Sequence, residues 1–167
     1  MRSKHAALCV MFILFHIKAG YAGIEEVKEA YTKGDYAVAL KEVQPLADQG
    51  NVYAQFYLGE MYASGQGVTQ DSAQAVVWLR KAAEQGYVNA QISLGRMYDG
   101  EHAVPQDYAK VAVWFRKAAE QGNADAQLRL GVMYANGLGV LKDNMQAVDQ
   151  YRKAAEQGSA DAQFRLG

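Results

Sequence analysis

Arg80-Lys81-Ala82-Ala83-Glu84-Gln85-Gly86 returns without change at Arg116–Gly122 and again at Arg152–Gly158, a step of 36 residues each time. Other positions keep the same step. Ala54, Ala90, Ala126 and Ala162 form one series. Gly59, Gly95, Gly131 and Gly167 form a second, and Asp35, Asp71, Asp107 and Asp143 a third. A fixed period of this length marks a stack of one repeated supersecondary unit, each copy burying its apolar face against its neighbours.

Each unit reads as two antiparallel helices, here called A and B. In the copy at 51–86, Ala54, Leu58, Met61 and Tyr62 stand at i, i+4, i+7 and i+8, one face of helix A. Gly65-Gln66-Gly67 ends that helix. Asp71 is placed to cap helix B, whose apolar face holds Ala75, Val76, Leu79, Ala82 and Ala83. Gly86 closes it as a residue able to take positive φ. Asn51, Asn123 and Ser159 cap the next A helices, and Tyr87 is a weaker cap in that place.

Gly59, Gly95 and Gly131 fall mid-helix, where glycine costs about 1 kcal/mol against alanine. A cost repeated in every copy implies close backbone approach between neighbouring helices. The Ala82-Ala83 pair and its copies imply the same on helix B, with Trp78, Trp114, Tyr62, Tyr98 and Tyr134 filling the remaining space. The methionine and aromatic stripe therefore reads as core packing. The expected architecture is all-α, a right-handed α-α superhelical solenoid of antiparallel helix pairs. Its parts are an irregular N-terminal helical repeat at 23–50, full repeats at 51–86, 87–122 and 123–158, and an incomplete repeat at 159–167.

The ends depart from the middle. Gly34-Asp35-Tyr36 turns directly into the next helix, and Pro45 stands where the next copy has Lys81, so the first helix B should bend or break there. Such an irregular unit suits a cap over the end of the stack. Ser159 to Gly167 is half of a helix A, leaving Phe164 and Leu166 without a partner helix. That reads as a truncated product or fragment, with self-association through the half repeat as a route to cover it.

Residues 1–22 carry a different signal. Arg2 and Lys4 precede an apolar run from Ala6 to Phe15, and Gly20-Tyr21-Ala22 offers small residues before a cut. This is the layout of a signal peptide cleaved after Ala22. The run is shorter than the about 20 apolar residues a membrane span needs. The sole cysteine, Cys9, leaves with it. Arg2, Lys4 and Lys18 leave too, so 14 of the 17 basic residues face all 18 acidic ones, and the mature chain sits near −4. That balance argues against nucleic acid and against docking to anionic lipid. The implied location is periplasmic or secreted, with no membrane span after cleavage.

The recurring pattern is Ala-Gln-x-x-Leu-Gly-x-Met-Tyr, Gly-x-Gly-Val, Asp-x-x-x-Ala-x-x-Trp and Arg-Lys-Ala-Ala-x-x-Gly, carried nearly whole by Ala54 to Gly86. It resembles the Sel-one-like repeat (SLR) family, a branch of the tetratricopeptide superfamily whose own unit is 34 residues. The resemblance runs from about Asp35 to Gly167. The third unit departs at the loop, where Glu101 and Ala103 replace the two glycines and Gly100 comes one position early. The resemblance implies an adaptor that assembles protein complexes, in secreted bacterial members at the envelope or in contact with host cells. Cysteine-rich members linked to β-lactams are a subgroup that this cysteine-free set of repeats does not match.

Positions that vary between copies outline a surface. On helix A they are Tyr53, Tyr57, Glu60 and Ser64; Asn89, Ser93, Arg96 and Gly100; and Asp125, Arg129, Val132 and Asn136. Their spacing of i, i+4, i+7 and i+11 puts them on one face, which stacking aligns into a groove. Tyr53, Tyr57, Arg96 and Arg129 are the expected anchors, since tyrosine and arginine dominate binding hot spots. Catalysis is not expected. His102 is the one histidine left after the leader and lies in the irregular loop. No nucleophile-elbow pattern, metal-spaced Cys or His pair, or complete phosphate loop accompanies it, so no metal or cofactor is expected. Asp71, Asp107 and Asp143 are explained as caps, and Glu84, Glu120 and Glu156 as surface partners of Arg80, Arg116 and Arg152 four residues earlier. The expected function is a scaffold binding another protein. A binder of peptidoglycan or carbohydrate fragments, with Tyr53 and Tyr57 stacking on sugar rings, is the alternative.

Overall fold

The structure is a computed structural model that describes residues 23–101 and 104–167. The apolar segment at 1–22 and His102 lie outside those residues. The chain is a right-handed solenoid of antiparallel helix pairs. Helix α1 covers 23–33, followed by α2 (Tyr36–Asp48), α3 (Val52–Ser64), α4 (Ser72–Glu84) and α5 (Val88–Arg96). A π-type turn at Met97–Glu101 extends α5. Then come α6 (Tyr108–Glu120), α7 (Ala124–Asn136), α8 (Asn144–Glu156) and α9 (Ala160–Leu166). Odd-numbered helices are the A helices and even-numbered ones the B helices.

The boundaries follow the capping chemistry. Asp35, Asp71, Asp107 and Asp143 each accept a backbone N–H of the first turn of their B helix. Asn51, Asn123 and Ser159 do so for α3, α7 and α9, while Tyr87 makes no side-chain cap bond to α5. Gly65 and Gly137 end α3 and α7 at φ 73° and 72°, the left-handed backbone that only glycine adopts without strain. In the third unit the same role falls to Gly100, φ 93°, one position early, and the helix widens into the π-type turn to reach it. Pro45 does not interrupt the first B helix as the sequence suggested: α2 runs through it to Asp48. Pro45 lies in the last turn of α2, so only the bond to the Lys41 carbonyl is lost, and the carbonyl of Pro45 accepts Gln49 N–H at 3.2 Å.

The mid-helix glycines mark where helix A meets helix B of its own unit. A Cβ on Gly59 would stand 2.7 Å from Leu79 Cγ. On Gly95 it would stand 2.7 Å from the Phe115 ring, and on Gly131 2.6 Å from the Tyr151 ring. One 36-residue series, Leu79, Phe115 and Tyr151, packs on the other, so the glycine is what admits the larger residue. Met61, Met97 and Met133 are all buried beside them, which makes the methionine stripe core.

A glutamine relay ties successive units together. Gln55, Gln91 and Gln127 are the buried polar side chains among the described residues. Each donates to a carbonyl at the end of the preceding B helix: Ala47 at 3.2 Å, Ala83 at 3.2 Å and Ala119 at 3.3 Å. Each then accepts from the Gln of Arg-Lys-Ala-Ala-Glu-Gln-Gly: Gln85 at 2.7 Å, Gln121 at 2.9 Å and Gln157 at 2.8 Å. Gln85 and Gln121 also reach the Gly50 and Gly86 carbonyls, both at 3.1 Å. A buried amide is tolerated because its donor and acceptor are both satisfied.

The arginine of the same motif differs from expectation. No ion pair joins Arg80 to Glu84 or Arg116 to Glu120 among the described residues. Arg80 donates to the Tyr98 hydroxyl at 2.9 Å and Arg116 to the Tyr134 hydroxyl at 3.3 Å, each in the following unit. The neighbouring lysines lie over tryptophan rings, Lys81 over Trp78 at 3.6 Å and Lys117 over Trp114 at 4.7 Å. The motif is therefore an inter-unit clasp rather than a solvated charge pair.

Two outcomes check this account by urea unfolding. Gly95→Ala gains about 1 kcal/mol of helix propensity but drives a methyl into the buried Phe115 ring, and overpacking of that kind costs about 1–3 kcal/mol. Net destabilisation is expected, and a stabilised variant would refute the close-approach account. Gln91→Leu removes two hydrogen bonds, to Ala83 C=O and from Gln121, and at about 0.5–1.5 kcal/mol for each should cost about 1–3 kcal/mol. Gln163→Leu, at the exposed equivalent that donates only to Ala155 C=O, should stay within about 0.5 kcal/mol of the parent; a loss at Gln91 no larger than about 0.5 kcal/mol would mean that the buried relay contributes nothing.

Candidate functional site

The variable positions of helix A form a stripe that divides into an aromatic run and two clefts. At its N-terminal end the rings of Tyr36, Tyr31, Tyr57, Phe56, Tyr87 and Tyr53 follow one another with centroids 5.1–5.5 Å apart, mostly edge to face. Tyr53 is 40% exposed, whereas Tyr57 is half-buried against Tyr31 of α1. Burial pushes the hydroxyls of both Tyr31 and Tyr57 above the ordinary tyrosine range, so both remain neutral at physiological pH. Tyr31 donates to Gln66 Oε1 at 2.8 Å, fixing its ring against the loop that follows α3.

Further along, the stripe opens into two clefts. A small one of about 120 Å³ lies between α3 and α5, bounded by Glu60, Ser64, Ser93 and Arg96. A larger one of about 290 Å³ is centred on α7 and carries Asp125, Arg129 and Val132 over a floor that includes Phe115 and Met133. Asp99 stands at one edge, and Asp161 and Arg165 of α9 at the other. Asp125 joins the clefts: its carboxylate meets Arg96 Nη2 of α5 at 3.4 Å and Arg129 Nε of its own helix at 3.2 Å. The three side chains are between about a third and a half exposed, so the bridges add at most about 1 kcal/mol to stability. Their effect is to orient two guanidinium groups along the groove, with Arg129 also 5.5 Å from the Phe115 ring.

Of the stripe residues read from the sequence, Glu60, Ser64, Ser93 and Arg96 meet at one cleft, and Asp125, Arg129 and Val132 at the other. Tyr53 and Tyr57 belong to the aromatic run instead. Asn89 is exposed and donates to the Tyr87 hydroxyl at 3.2 Å, lining neither cleft. Asn136 donates to the Val132 carbonyl at 2.8 Å, outside both. Sequence reasoning missed Tyr31 and Phe56, which complete the aromatic run, and Asp161 and Arg165, which close the larger cleft. The last two were visible as the 36-residue equivalents of Asp125 and Arg129. Among the described residues, no group of three or more His, Cys, Asp or Glu side chains is placed to hold a metal ion. None of the described helices is long and apolar enough to cross a membrane.

Comparison with known proteins agrees with the fold. The Sel1 repeat profile matches residues 52–87, 88–123 and 124–159. Similar solved structures include c5321, a protective antigen present in uropathogenic Escherichia coli strains and displaying an SLR fold. It is 40% identical with a TM-score of 0.76 over 78% of this chain, which spans only 28% of that protein. A Sel1 repeat protein from Oxalobacter formigenes is 42% identical with a TM-score of 0.69, over 76% of this chain and 96% of its own. Helicobacter pylori cysteine rich protein B is 27% identical with a TM-score of 0.58, over 84% of this chain and 95% of its own. No curated protein matches by sequence. With three tandem matches over more than half its length, the chain belongs to the Sel1 repeat family.

Proposed function

We propose that the chain is an exported scaffold that holds another protein along its helix A stripe, by recognition alone. Sel1 repeat proteins are generally protein-interaction scaffolds. The observation that carries the reading here is the larger cleft: an apolar floor of Phe115, Val132 and Met133 is rimmed by the oriented charges of Asp125 and Arg129. An extended segment or a partner helix lies in such a groove by burying alternate side chains while its polar groups meet the rim. Fixed guanidinium groups beside aromatic surface are the composition of a binding hot spot. Export rests on the leader-like order of residues 1–22 and is in keeping with a relative that is a protective antigen. The run from Tyr36 to Tyr53 offers ring faces and hydroxyls that also suit stacking on sugars, which keeps a wall-fragment ligand as the competing reading.

Partner capture from envelope and host-cell extracts tests the two readings together. The parent chain should retain a protein that Arg129→Ala loses at least tenfold, with helical circular dichroism unchanged. Retention unaffected by Arg129→Ala and by Arg96→Ala would remove the cleft from the function. Retention of purified wall fragments in the absence of protein, lost on Tyr53→Ala, would move the reading to the aromatic run.

A further inference from the structure

Each B helix presents one residue, three before the motif lysine, to the seam between it and the preceding unit. That residue is Trp78 in α4 and Trp114 in α6, but Gln150 in α8. Trp78 is buried in one cluster with Ala47 and Leu58, and Trp114 in another with Ala83 and Leu94. Ala47 and Ala83 beneath the indoles are each 1% exposed. Their equivalent beneath Gln150, Ala119, is 7% exposed, and Leu130 rises to 2% where Leu58 and Leu94 are at 0%. The seam between α6 and α8 is accordingly open as a slot of about 270 Å³, lined by Ala119, Leu130, Tyr134, Gln150, Arg116 and Lys153 among others.

We propose that this slot receives a tryptophan side chain presented by a protein partner. The two preceding seams of the same molecule supply the template: the floor of Ala119, Leu130 and Tyr134 repeats Ala83, Leu94 and Tyr98 and also Ala47, Leu58 and Tyr62, and in each of those seams an indole fills the space, while on the rim Asp149 replaces Val113 and Val77. The size permits it, since about 270 Å³ is ample for one indole and lies at the low end of the roughly 300–1,000 Å³ of small-ligand pockets. The charges agree as well. Lys81 and Lys117 lie over the faces of Trp78 and Trp114, and Lys153 occupies the same position relative to the slot. Lys153 Nζ is held 2.6 Å from Asp149 on the slot's rim, poised to cover an incoming ring. Arg116 is fixed by its bond to Tyr134 at the opposite wall. Tryptophan is the side chain most enriched at anchoring positions that fill a pocket on a partner. The slot shares no lining residue with the two helix A clefts, so it stands or falls independently of the function proposed above.

The test is a titration of the ¹⁵N-labelled chain with N-acetyl-tryptophanamide, followed by amide chemical shifts, with N-acetyl-alaninamide as control. The tryptophan probe should give saturable shifts centred on Ala119, Gln150 and Lys153, and the alanine probe none. Gln150→Trp closes the slot from within and should weaken the probe at least tenfold while raising Tm. If that variant does not fold, Gln150→Phe serves the same purpose with a smaller ring, and Gln150→Ala should bind as well as the parent. Arg129→Ala, in the helix A cleft, should leave the titration unchanged. Absence of saturable shifts in the parent chain, or undiminished binding by the filled variants, overturns the proposal.

Discussion

Helix A can lie on helix B only because Gly59, Gly95 and Gly131 have no side chain. Everything else in the repeat is arranged around that approach. A methyl group there would meet Leu79, Phe115 or Tyr151 at 2.6–2.7 Å, well inside van der Waals contact. The chain accepts the helix-propensity cost of three glycines because the gain is a large buried residue opposite each one. Close approach also brings the end of each B helix within reach of the next A helix. Gln55, Gln91 and Gln127 can then bond the Ala47, Ala83 and Ala119 carbonyls directly. The polar relay is thus a consequence of the apolar contact, and it fixes register: an amide whose donor and acceptor are both used in the interior has few other satisfied positions.

The motif Arg-Lys-Ala-Ala-Glu-Gln-Gly can be read in the same way. Its alanines pack, its glutamine reaches back to the preceding unit, its arginine reaches forward to a tyrosine hydroxyl, and its lysine lies over a tryptophan. Its glycine turns the chain at positive φ, as Gly86 at 90° and Gly122 at 87° demonstrate. Most of the motif's polar groups are therefore engaged inside the stack, and few remain for a ligand. That is why constancy between copies marks scaffold here.

Much of the fold was legible in the sequence because its physics is local and periodic. The caps at Asp71, Asp107 and Asp143 and the left-handed glycines follow from residue chemistry within one turn of the chain. So does the close approach, once Gly59 and its copies are seen to recur mid-helix. The misreadings were tertiary. Arg80 and Glu84 are correctly spaced for a helical ion pair, but a tyrosine hydroxyl from the next unit offers Arg80 a less exposed partner. Pro45 has the intrinsic tendency to break a helix, but it sits so near the end of α2 that only one hydrogen bond is forgone. At the candidate site, spacing placed Asp125, Arg129 and Val132 on one face. It could not foresee that Tyr57 would turn inward against Tyr31, because α1 belongs to no 36-residue series.

A repeat protein carries its own controls, since each copy shows what the same backbone does with a different residue. Applied to helix A, the comparison yields the change from Tyr53 and Tyr57, through Asn89 and Ser93, to Asp125 and Arg129, a passage from aromatic to charged along the stack. Applied to helix B, it yields Gln150 where two tryptophans set the rule. The two departures differ in kind. Helix A varies at positions whose side chains are exposed or only half-buried, so variation there costs the stack less. Gln150 varies at a position where the stack buries an indole, and fully burying a side chain of that class contributes about 1.5–3 kcal/mol. A glutamine that forgoes such burial above the unchanged floor of Ala119, Leu130 and Tyr134 leaves a shaped, unfilled seam, and a shape kept without its filling is the property that separates a receptor from an ordinary polar surface.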